Sequence, residues 1–529
     1  MVLVATALSV LLAALGQPPP LPPWEAHFTR DQLGLEVERT LPGGVRARWE
    51  RDNLGRPLKH EIWSGTTLVS AKAYTWEPND RLKMIVDALN GPMQYRHDGL
   101  GNLIGAAYAD DKFDLRMPDA VGNLFKTVNK KDHKYGPAGQ LLESKGEGGI
   151  TKYEYDAEGN LATKILPDDR EWTYEWNGAG MLAKIVRPDG KTVEFGYDAL
   201  GRRVWKKYGA KTTKWIWDGN VPVHEWVEVD PAVEDPSSQQ ETVAWDVGLF
   251  DRKHLLSERS AQGPPVSDPL SQWERARVRE NATGTPDAPI TWVFEPESFA
   301  PLAKLTAAAR HGIVTDHLGT PTAMLDEQGQ TTWSADIGVF GKLRNVVGEK
   351  AACPFRWPGQ YEDEETGLYY NRFRYYDPEA GEYVSQDPIG LAGGLRPHKY
   401  AHDPVLWFDP LGLTCKGQDD EDKPHALWSG EGSMQAAQEW AEKNGGVTLE
   451  MTARGDRAAR HAKGLDDWEM ARPVWAKESR RYAKEASGEV HVFVTAAAKN
   501  NPNSVLNSVE LPTLARNPKV TNIVFHDVP

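Results

Sequence analysis

The sequence predicts a multidomain chain in which a partial, β-rich repeat shell precedes a small α/β C-terminal domain. Glycine turns recur along the first half, and from Gly101 to Gly201 they are spaced by 21, 17, 20, 21 and 21 residues. The repeats end at residues 409–413, and sequence of a different character follows. A repetitive body joined to a short non-repetitive module indicates a carrier with a cargo, so the function is sought after residue 413.

Length and composition exclude several classes of protein. With 529 residues, 40% of them hydrophobic, the chain is long enough for more than one domain. Its formal charge of −15 offers no basic face to a phosphate backbone, so no nucleic-acid partner is expected. Its two cysteines, Cys353 and Cys415, supply neither a disulfide framework nor a CxxC metal site.

The N-terminal segment, residues 1–44, begins with the apolar run Val2–Leu15. This run is typical of the core of a secretory signal, but no positive charge precedes it and it is short for a membrane span. A misassigned start upstream of the repeats accounts for it equally well.

Each repeat predicts a β-hairpin. Tyr155, Asp156 and Gly159 show the pattern, since Asp or Asn followed closely by Gly marks a tight turn in which glycine accepts a positive φ. Between turns, segments such as Lys191–Tyr197 alternate apolar and polar residues as half-buried strands do. A single hairpin cannot bury its apolar face, so neighbouring repeats must stack into one sheet.

This pattern resembles the tyrosine-aspartate (YD) repeats of the Rhs family, whose strands build a shell around a toxin. The resemblance covers residues 45–227 and resumes over residues 291–353, near Asp316–Thr320. Residues 228–290 are rich in Pro, Ser, Gln and charge, which predicts a disordered insertion or a long loop.

Residues 354–413 resemble the Rhs-associated core, with four segments in the family order: Pro354–Tyr361, Glu365–Pro378, Gln386–Leu391 and Asp409–Leu413. In that family the core cuts itself after the final Asp-Pro-x-Gly-Leu. By resemblance the self-cleavage residues are Asp387, Asp409 and Arg374, and the bond cut is Leu413–Thr414. Two close carboxylates can share a proton, so that one activates water while the other protonates the leaving amine. Both Asp-Pro-x-Gly segments would also serve as plain turns.

The core departs from the family pattern at two places. Glu382 stands where the family usually has an arginine, and Gly394–Lys399 lacks the usual asparagine. These departures bear on the efficiency of cleavage, whereas the domain boundary at residue 413 does not depend on them.

Residues 414–529 predict an α/β domain in the order strand, helix, strand, helix, strand, strand. Pro473 is expected in the first turn of the second helix, where a missing N–H does no harm. The predicted elements are Ala426–Gly430, Met434–Lys443, Val447–Thr452, Pro473–Ala486, Glu489–Val494 and Lys519–His526.

These elements resemble the ADP-ribosyl cyclase and NAD glycohydrolase family. The resemblance implies cleavage of the nicotinamide–ribose bond of NAD, which develops oxocarbenium-like charge on the ribose. NAD would be the substrate, and neither a metal nor another cofactor is required. Five segments carry the resemblance: Leu427–Ser429, Thr448–Thr452, Val474–Ala483 leading into Val490–Val492, Asn507–Glu510 and Val524–His526.

The family implies roles for three residues as the catalytic set. Glu510 would bind the ribose hydroxyls and stabilise the developing cation. Trp475 and Ser479 are four residues apart and share one helix face, so that Trp475 would stack on nicotinamide while Ser479 bonds near the ribose.

Three further residues are expected to bind substrate. Trp428 would form a second aromatic wall with Ser429 beside it, and Glu450 would accept a hydrogen bond from the carboxamide. Taken singly, such residues more often have ordinary roles: a tryptophan packs in the core, a helical serine is solvated and a strand glutamate is exposed.

Together these observations predict an Rhs-type polymorphic toxin, secreted or delivered from the cell surface, whose released domain acts on NAD in the target-cell cytoplasm. Its expected partners are a cognate immunity protein and a secretion component that the sequence does not identify. The alternatives are a surface adhesion or carbohydrate-binding repeat protein, or a nuclease toxin. A metal-dependent nuclease would use His461, His491 and His526, but they form no HxH or HxxxH pair, so structural roles are expected.

Overall fold

The structure is a computed structural model. It describes residues 2–5, 23–31, 35–232, 288–296, 298–390, 396–413, 425–430, 432–444, 447–449, 468–486, 488–516 and 520–528. None of the described helices combines the length and the apolar character that crossing a membrane requires.

Two large antiparallel meanders form the body, with a two-stranded ribbon between them. The first comprises β1 Val2–Ala5, β2 Trp24–Arg30, β3 Glu36–Leu41, β4 Val45–Arg51, β5 Pro57–Ser64, β6 Thr67–Trp76, β7 Leu82–Asp87, β8 Gly91–His97, β9 Leu103–Tyr108 and β10 Phe113–Leu115. The ribbon is β11 Met117–Pro118 and β12 Leu124–Phe125. The second meander comprises β13 His133–Tyr135, β14 Leu141–Gly146, β15 Gly149–Tyr155, β16 Leu161–Ile165, β17 Glu171–Trp176, β18 Leu182–Val186, β19 Thr192–Tyr197, β20 Arg203–Tyr208, β21 Lys211–Asp218, β22 Val221–Val229, β23 Ile290–Phe294, β24 Pro301–Leu305, β25 Arg310–Thr315, β26 Pro321–Asp326, β27 Thr331–Ile337 and β28 Leu343–Val347. Two 3₁₀ turns, Pro42–Gly44 and Lys350–Ala352, interrupt the strands.

The repeated Asp-Gly turns have one geometry, which Asp156 illustrates. Its Oδ1 accepts the backbone N–H groups of Glu158 and Asn160, both at 2.9 Å. Gly159 has φ +78°, a conformation that glycine adopts at little steric cost. The carboxylate thus satisfies the N–H groups that the turn leaves unpaired, as the sequence predicts.

The aromatic residue before each turn links repeats to one another. Its polar hydrogen is donated to a backbone carbonyl of the preceding hairpin, so apolar packing and a hydrogen bond act at the same position. The donor and acceptor pairs are Tyr155 with Leu141 at 3.0 Å, Trp176 with Leu161 at 2.8 Å, Tyr197 with Leu182 at 2.7 Å and Trp217 with Arg203 at 2.7 Å.

The two meanders pack on each other. Trp24, Leu41 and Ile62 of the first share a buried cluster with Leu302 and Leu325 of the second.

The ten-stranded sheet begins before residue 45, because β1, β2 and β3 all lie within residues 1–44.

Most of the segment predicted as an insertion, residues 228–290, lies outside the described residues. The strands on either side of it, β22 and β23, pair directly and antiparallel. The second meander consequently continues across this segment in unbroken strand order.

Residues 354–413 contribute a small four-stranded sheet and a tail that are buried against both meanders. Its strands are β29 Tyr361–Asp363, β30 Leu368–Asn371, β31 Arg374–Asp377 and β32 Glu382–Tyr383. Tyr370 and Tyr375 join a cluster with Leu161 and Ile185 of the second meander, and Val405 packs against a cluster of the first. This segment is hereafter the core segment.

The C-terminal part contains a parallel sheet flanked by helices. The strands are β33 His425–Ser429, β34 Val447–Thr448, β35 Gly488–Thr495 and β36 Val520–Val528, in the order β34-β33-β35-β36. The helices are α1 Ser433–Asn444, α2 Trp468–Glu485, α3 Ala496–Lys499 and α4 Leu511–Leu514, and a π-helical turn, Leu506–Glu510, precedes α4.

The expectation for Pro473 was wrong. Helix α2 begins at Trp468, so Pro473 lies inside it rather than in its first turn. Proline at this position removes one backbone hydrogen bond and crowds the carbonyl four residues earlier, so its place inside α2 goes against the local preference. Of the predicted strand Val447–Thr452, the structure shows Val447–Thr448, and residues 450–452 lie outside the described residues.

Candidate functional site

The core segment positions Arg374 at the start of β31, a strand whose four residues are all buried. β31 pairs with β30 on one side and β32 on the other, so the guanidinium leaves a rigid three-stranded frame. Its Nε donates to the carbonyl of Gly412 at 2.5 Å and its Nη1 to the carbonyl of Pro397 at 2.9 Å. Arg374 therefore ties the frame to the segment that ends at residue 413.

Both predicted carboxylates meet this guanidinium. The Oδ2 atoms of Asp387 and Asp409 lie 3.0 and 3.2 Å from the same nitrogen, Nη2 of Arg374. All three side chains are almost completely buried. A buried cation shared by two carboxylates offsets the desolvation that each of them suffers alone. The structure thus brings together the three residues predicted for self-cleavage.

Asp409 also holds the end of the core segment in place. Its Oδ1 accepts the backbone N–H groups of Gly412 at 2.8 Å and Leu413 at 3.1 Å. The carbonyl of Leu411 accepts the N–H of Phe373 at 3.1 Å. Leu413, the first residue of the predicted scissile bond, is consequently fixed by a carboxylate of the same cluster. Thr414 lies outside the described residues.

Two glycines allow the tail to lie this close to the frame. A Cβ on Gly359, which has φ +92°, would be 2.1 Å from the carbonyl oxygen of Pro410. A Cβ on Gly412, which has φ +69°, would be 2.5 Å from the carbonyl oxygen of Asn371. Backbone approaches of this kind exclude any side chain.

Sequence reasoning missed two residues of this cluster. Asn371 and Tyr383 bond to Asp409 and to each other, and both are buried. The sequence offered a partial signal for Asn371 alone, since the aromatic run Leu368–Asn371 ends on a polar amide. A buried amide requires partners, which makes it a candidate member of a polar site.

The departure at Glu382 is accommodated within the core segment. Glu382 pairs with Nη2 of Arg396 at 2.7 Å, and both side chains are buried or nearly so. Burial raises the pKa of Glu382, while the Arg396 charge acts in the opposite direction. The residue that differs from the family therefore has its own counter-ion and does not compete for Arg374.

In the C-terminal part, Glu510 and Ser479 are both buried, although each belongs to a residue type that is usually exposed. Glu510 ends the π-helical turn, and this turn packs against helix α2, which bears Trp475 and Ser479. Trp475 contacts the apolar cluster that α2 and α4 form on one face of the sheet. The catalytic set of the prediction thus lies on neighbouring elements.

Trp428 and Ser429 are the last two residues of β33, at the carboxyl edge of the parallel sheet. β33 also packs against the π-helical turn that ends in Glu510. Strand alternation directs Trp428 to the face covered by α1, where it packs near Trp440, whereas Trp475 packs on the opposite face. Glu450 lies outside the described residues.

The structure brings two of the three predicted histidines together. Nδ1 of His491 lies 2.9 Å from Nε2 of His526, and Nε2 of His491 lies 3.2 Å from a carboxylate oxygen of Glu489. His461 lies outside the described residues. Across the part of the chain that the structure describes, no three His, Cys, Asp or Glu side chains are arranged to hold a metal ion. Cys353 is a buried free thiol, and burial raises its pKa to about 11, which disfavours the thiolate at neutral pH.

The fold and the cluster at Arg374 define a β-shell protein with a buried acidic centre at the end of its shell. Family models agree with the repeat assignment: residues 79–216 match the teneurin YD-shell and residues 311–347 match the RHS protein family. The matched parts of the meanders, residues 79–216 and 311–347, therefore agree with the YD and Rhs repeats that the resemblance predicted.

Among known proteins, the chain is similar to double-stranded DNA deaminase toxin A of Burkholderia cenocepacia, with 30% identity over 415 residues, covering 74% of this chain and 26% of the relative. The match covers 26% of the length of this relative and 29% of the length of toxin protein Tse5 of Pseudomonas aeruginosa, which is 33% identical over 410 residues, 74% of this chain. Among solved structures, the Photorhabdus luminescens Tc holotoxin pore aligns with TM-score 0.47 and 14% identity, over 74% of this chain and 20% of that chain. An Aplysia cyclase complexed with substrate NGD and product cGDPR aligns with TM-score 0.16 and 23% identity, over 20% of this chain and 48% of that chain.

Proposed function

We propose that this chain is an Rhs-type polymorphic toxin that cuts itself after Leu413 and so releases a C-terminal domain that cleaves NAD at the nicotinamide–ribose bond. The observation that supports it most strongly is the convergence of Asp387 and Asp409 on Arg374, directly before the predicted junction. A shell that ends in such a centre has the parts of a carrier that frees its own cargo.

Self-cleavage would be a hydrolysis. A water oxygen bonds to the carbonyl carbon of Leu413, and the bond from that carbon to the nitrogen of Thr414 breaks. One carboxylate takes a proton from the water, and a carboxylic acid gives a proton to the departing nitrogen, so that protons balance. Asp387 and Asp409 are the groups assigned to these two roles, and Arg374 stabilises the negative charge of the pair.

The NAD-cleaving activity is supported by the surroundings of Glu510. The buried carboxylate of Glu510 lies on a turn that packs against both α2 and β33. It is suited to stabilise cationic charge on a ribose, because a site with little water strengthens that attraction. Trp475 and Ser479 from α2 and Trp428 and Ser429 from β33 would form the walls. Ring stacking on Trp475 and Trp428 would require both indoles to reach the carboxyl edge of the sheet, since they lie on opposite faces.

The proposal includes partners and a place of action. The producing cell would make an immunity protein that blocks the C-terminal domain, and the toxin would be secreted or surface-delivered and act in a rival's cytoplasm. The similarity to double-stranded DNA deaminase toxin A makes a DNA-directed cargo the competing function. The cluster at Arg374 suits either cargo, so the two activities need separate tests.

The self-cleavage test compares the purified full chain with Asp387→Asn and Asp409→Asn variants over time by intact mass. The wild-type chain should separate into two fragments, and each variant should stay intact. Asp403→Asn is the matched control, because Asp403 is equally buried in the core segment but pairs with His97 at 3.0 Å. Fragmentation of all four proteins at one rate would disprove autocatalysis by this pair.

The cargo test incubates the cleaved wild-type protein with NAD, with duplex DNA and with RNA, and measures nicotinamide, deaminated bases and strand breaks. Nicotinamide release should be lost in Glu510→Gln and retained in Glu489→Gln, whose carboxylate is exposed on β35. Deamination or strand breakage without nicotinamide release would assign the domain to the DNA- or RNA-directed class instead.

A further inference from the structure

The hydroxyl of Tyr383 lies between two groups of the self-cleavage cluster. It is 3.0 Å from Oδ2 of Asp409 and 2.7 Å from Nδ2 of Asn371. An amide nitrogen can only donate and a carboxylate can only accept, so the direction of both hydrogen bonds is fixed. The Tyr383 hydroxyl therefore accepts a hydrogen bond from the amide of Asn371 and donates its single proton to Asp409.

The ring of Tyr383 also contacts Arg374. The guanidinium carbon of Arg374 lies 3.7 Å from the ring centroid, within the range of a cation–π contact. Tyr376 and Tyr400 pack against the same ring with centroid separations of 5.9 and 5.8 Å. Tyr383 therefore contacts both Arg374 and Oδ2 of Asp409, the oxygen that also lies near Nη2 of Arg374.

Asn371 holds Asp409 from two directions. Its Nδ2 donates to the backbone carbonyl of Asp409 at 2.8 Å as well as to the Tyr383 hydroxyl. Asn371 is fully buried at the end of β30, so its amide cannot rotate into solvent. The backbone and the carboxylate of Asp409 are thus oriented by the same pair of side chains.

We propose that Tyr383 and Asn371 are positioning residues of the self-cleavage centre, which hold the Asp409 carboxylate in its reactive orientation. This inference rests on the proposed self-cleavage and extends it to two residues that act through Asp409. The hydrogen bond from Tyr383 fixes the orientation of the Asp409 carboxylate. Loss of that bond should slow cleavage and change the dependence of its rate on pH.

The experiment measures the rate of self-cleavage of the full chain between pH 4 and pH 9. In Tyr383→Phe the ring over Arg374 remains and only the hydroxyl is removed. We expect its rate to fall about 10- to 100-fold, which corresponds to the loss of one hydrogen bond to a charged group. The dependence of the rate on pH should also differ from that of the wild-type chain.

Tyr376→Phe is the matched control, because Tyr376 is also fully buried in the same aromatic cluster but donates to the carbonyl of Phe340 at 3.0 Å. It should lose similar stability to unfolding and keep the wild-type pH profile. Asn371→Ala should shift the profile in the same direction as Tyr383→Phe. The double variant should lose less than the sum of the two effects, because both residues act through Asp409.

Distinct outcomes separate this inference from the proposed function. If Asp409→Asn is inactive while Tyr383→Phe keeps the wild-type rate and pH profile, the positioning role is overturned and self-cleavage stands. If Tyr376→Phe is slowed as strongly as Tyr383→Phe and neither profile moves, the role of Tyr383 is only structural and the inference fails. If the wild-type chain is not cleaved at any pH, both proposals fall.

Discussion

Asp387 and Asp409 place their Oδ2 atoms on one nitrogen, Nη2 of Arg374, at 3.0 and 3.2 Å. Two carboxylates that converge on one point in a buried site are stabilised by a shared cation and can share a proton. The carbonyl of Gly412 accepts from Nε of the same guanidinium, so a single arginine contacts both carboxylates and the chain segment to be cut. The centre is therefore sensitive to the shape of the cation as well as to its charge.

Arg374→Lys should lower the rate of self-cleavage about 100-fold or more, because an ammonium group cannot reproduce the planar set of donors to both carboxylates and two carbonyls. The rate is followed by intact mass. Arg372→Lys is the control, since Arg372 bonds instead to the carbonyls of Gly201 and Leu200 in the turn between β19 and β20. Equal rates for the two variants would show that the shape of the Arg374 side chain is unimportant.

Gly359→Ala should destabilise the fold by about 2–4 kcal/mol, because the new methyl would meet the carbonyl of Pro410 and the residue has φ +92°. Gly180→Ala separates the two causes: its φ is +72°, but nothing lies within 4 Å of its added Cβ. That variant should lose only about 1 kcal/mol. Urea unfolding measures both, and indistinguishable losses would contradict the close approach of the tail.

Asp156→Ala should cost about 1–2 kcal/mol of unfolding free energy, because the N–H groups of Glu158 and Asn160 lose their common acceptor. Asp156→Asn keeps an acceptor oxygen at the same position and should cost less than half as much. Thermal unfolding is the measurement. If the asparagine variant is as unstable as the alanine variant, the charge or the bond from Nδ2 of Asn160 to Oδ2, rather than the backbone N–H bonds, governs this position.

The buried imidazole of His398 should make the folded chain less stable in acid. Burial, with the nearby positive charges of Arg374 and Arg396, lowers its pKa to about 4, although Nε2 bonds to the carbonyl of Gly159 at 2.9 Å. In the unfolded chain the imidazole of His398 takes up a proton near pH 6.5, whereas in the folded chain it does so only near pH 4. The stability that the neutral imidazole contributes is therefore complete above pH 6.5 and is lost as the pH falls toward 4. Its full size is about 3 kcal/mol.

Unfolding by urea at pH 7 and pH 4 tests this contribution. Wild type should lose about 3 kcal/mol more than His398→Gln between the two values, because glutamine keeps a neutral donor toward Gly159 and does not titrate. Identical losses in the two proteins would show that His398 is not the group responsible.

Much of the fold could be predicted because local rules suffice for it. Asp156 and Gly159 specify a turn through contacts within five residues, and strand alternation follows from the buried side of the sheet. The start of the shell before residue 45 could not be read this way. Trp24 and Leu41 are ordered by packing on Leu302 and Leu325, which are remote in sequence.

The site was predictable only in part for a similar reason. Asp387, Asp409 and Arg374 follow from motif positions, and the structure brings them together. Tyr383 and Asn371 were missed because their role depends on hydrogen bonds formed across β30, β32 and the tail, which no spacing in the sequence reveals. Pro473 was misplaced because a preference for the first helical turn is weak compared with the packing of a whole helix.

The most direct test of the central claim is the identity of the N-terminal residue of the fragment released by the full chain. Edman sequencing or fragment mass should show a new N-terminus at Thr414 in the wild-type protein and none in Asp387→Asn. A fragment that begins elsewhere, or one released equally from Asp387→Asn, would contradict a carrier that frees its cargo through the cluster at Arg374.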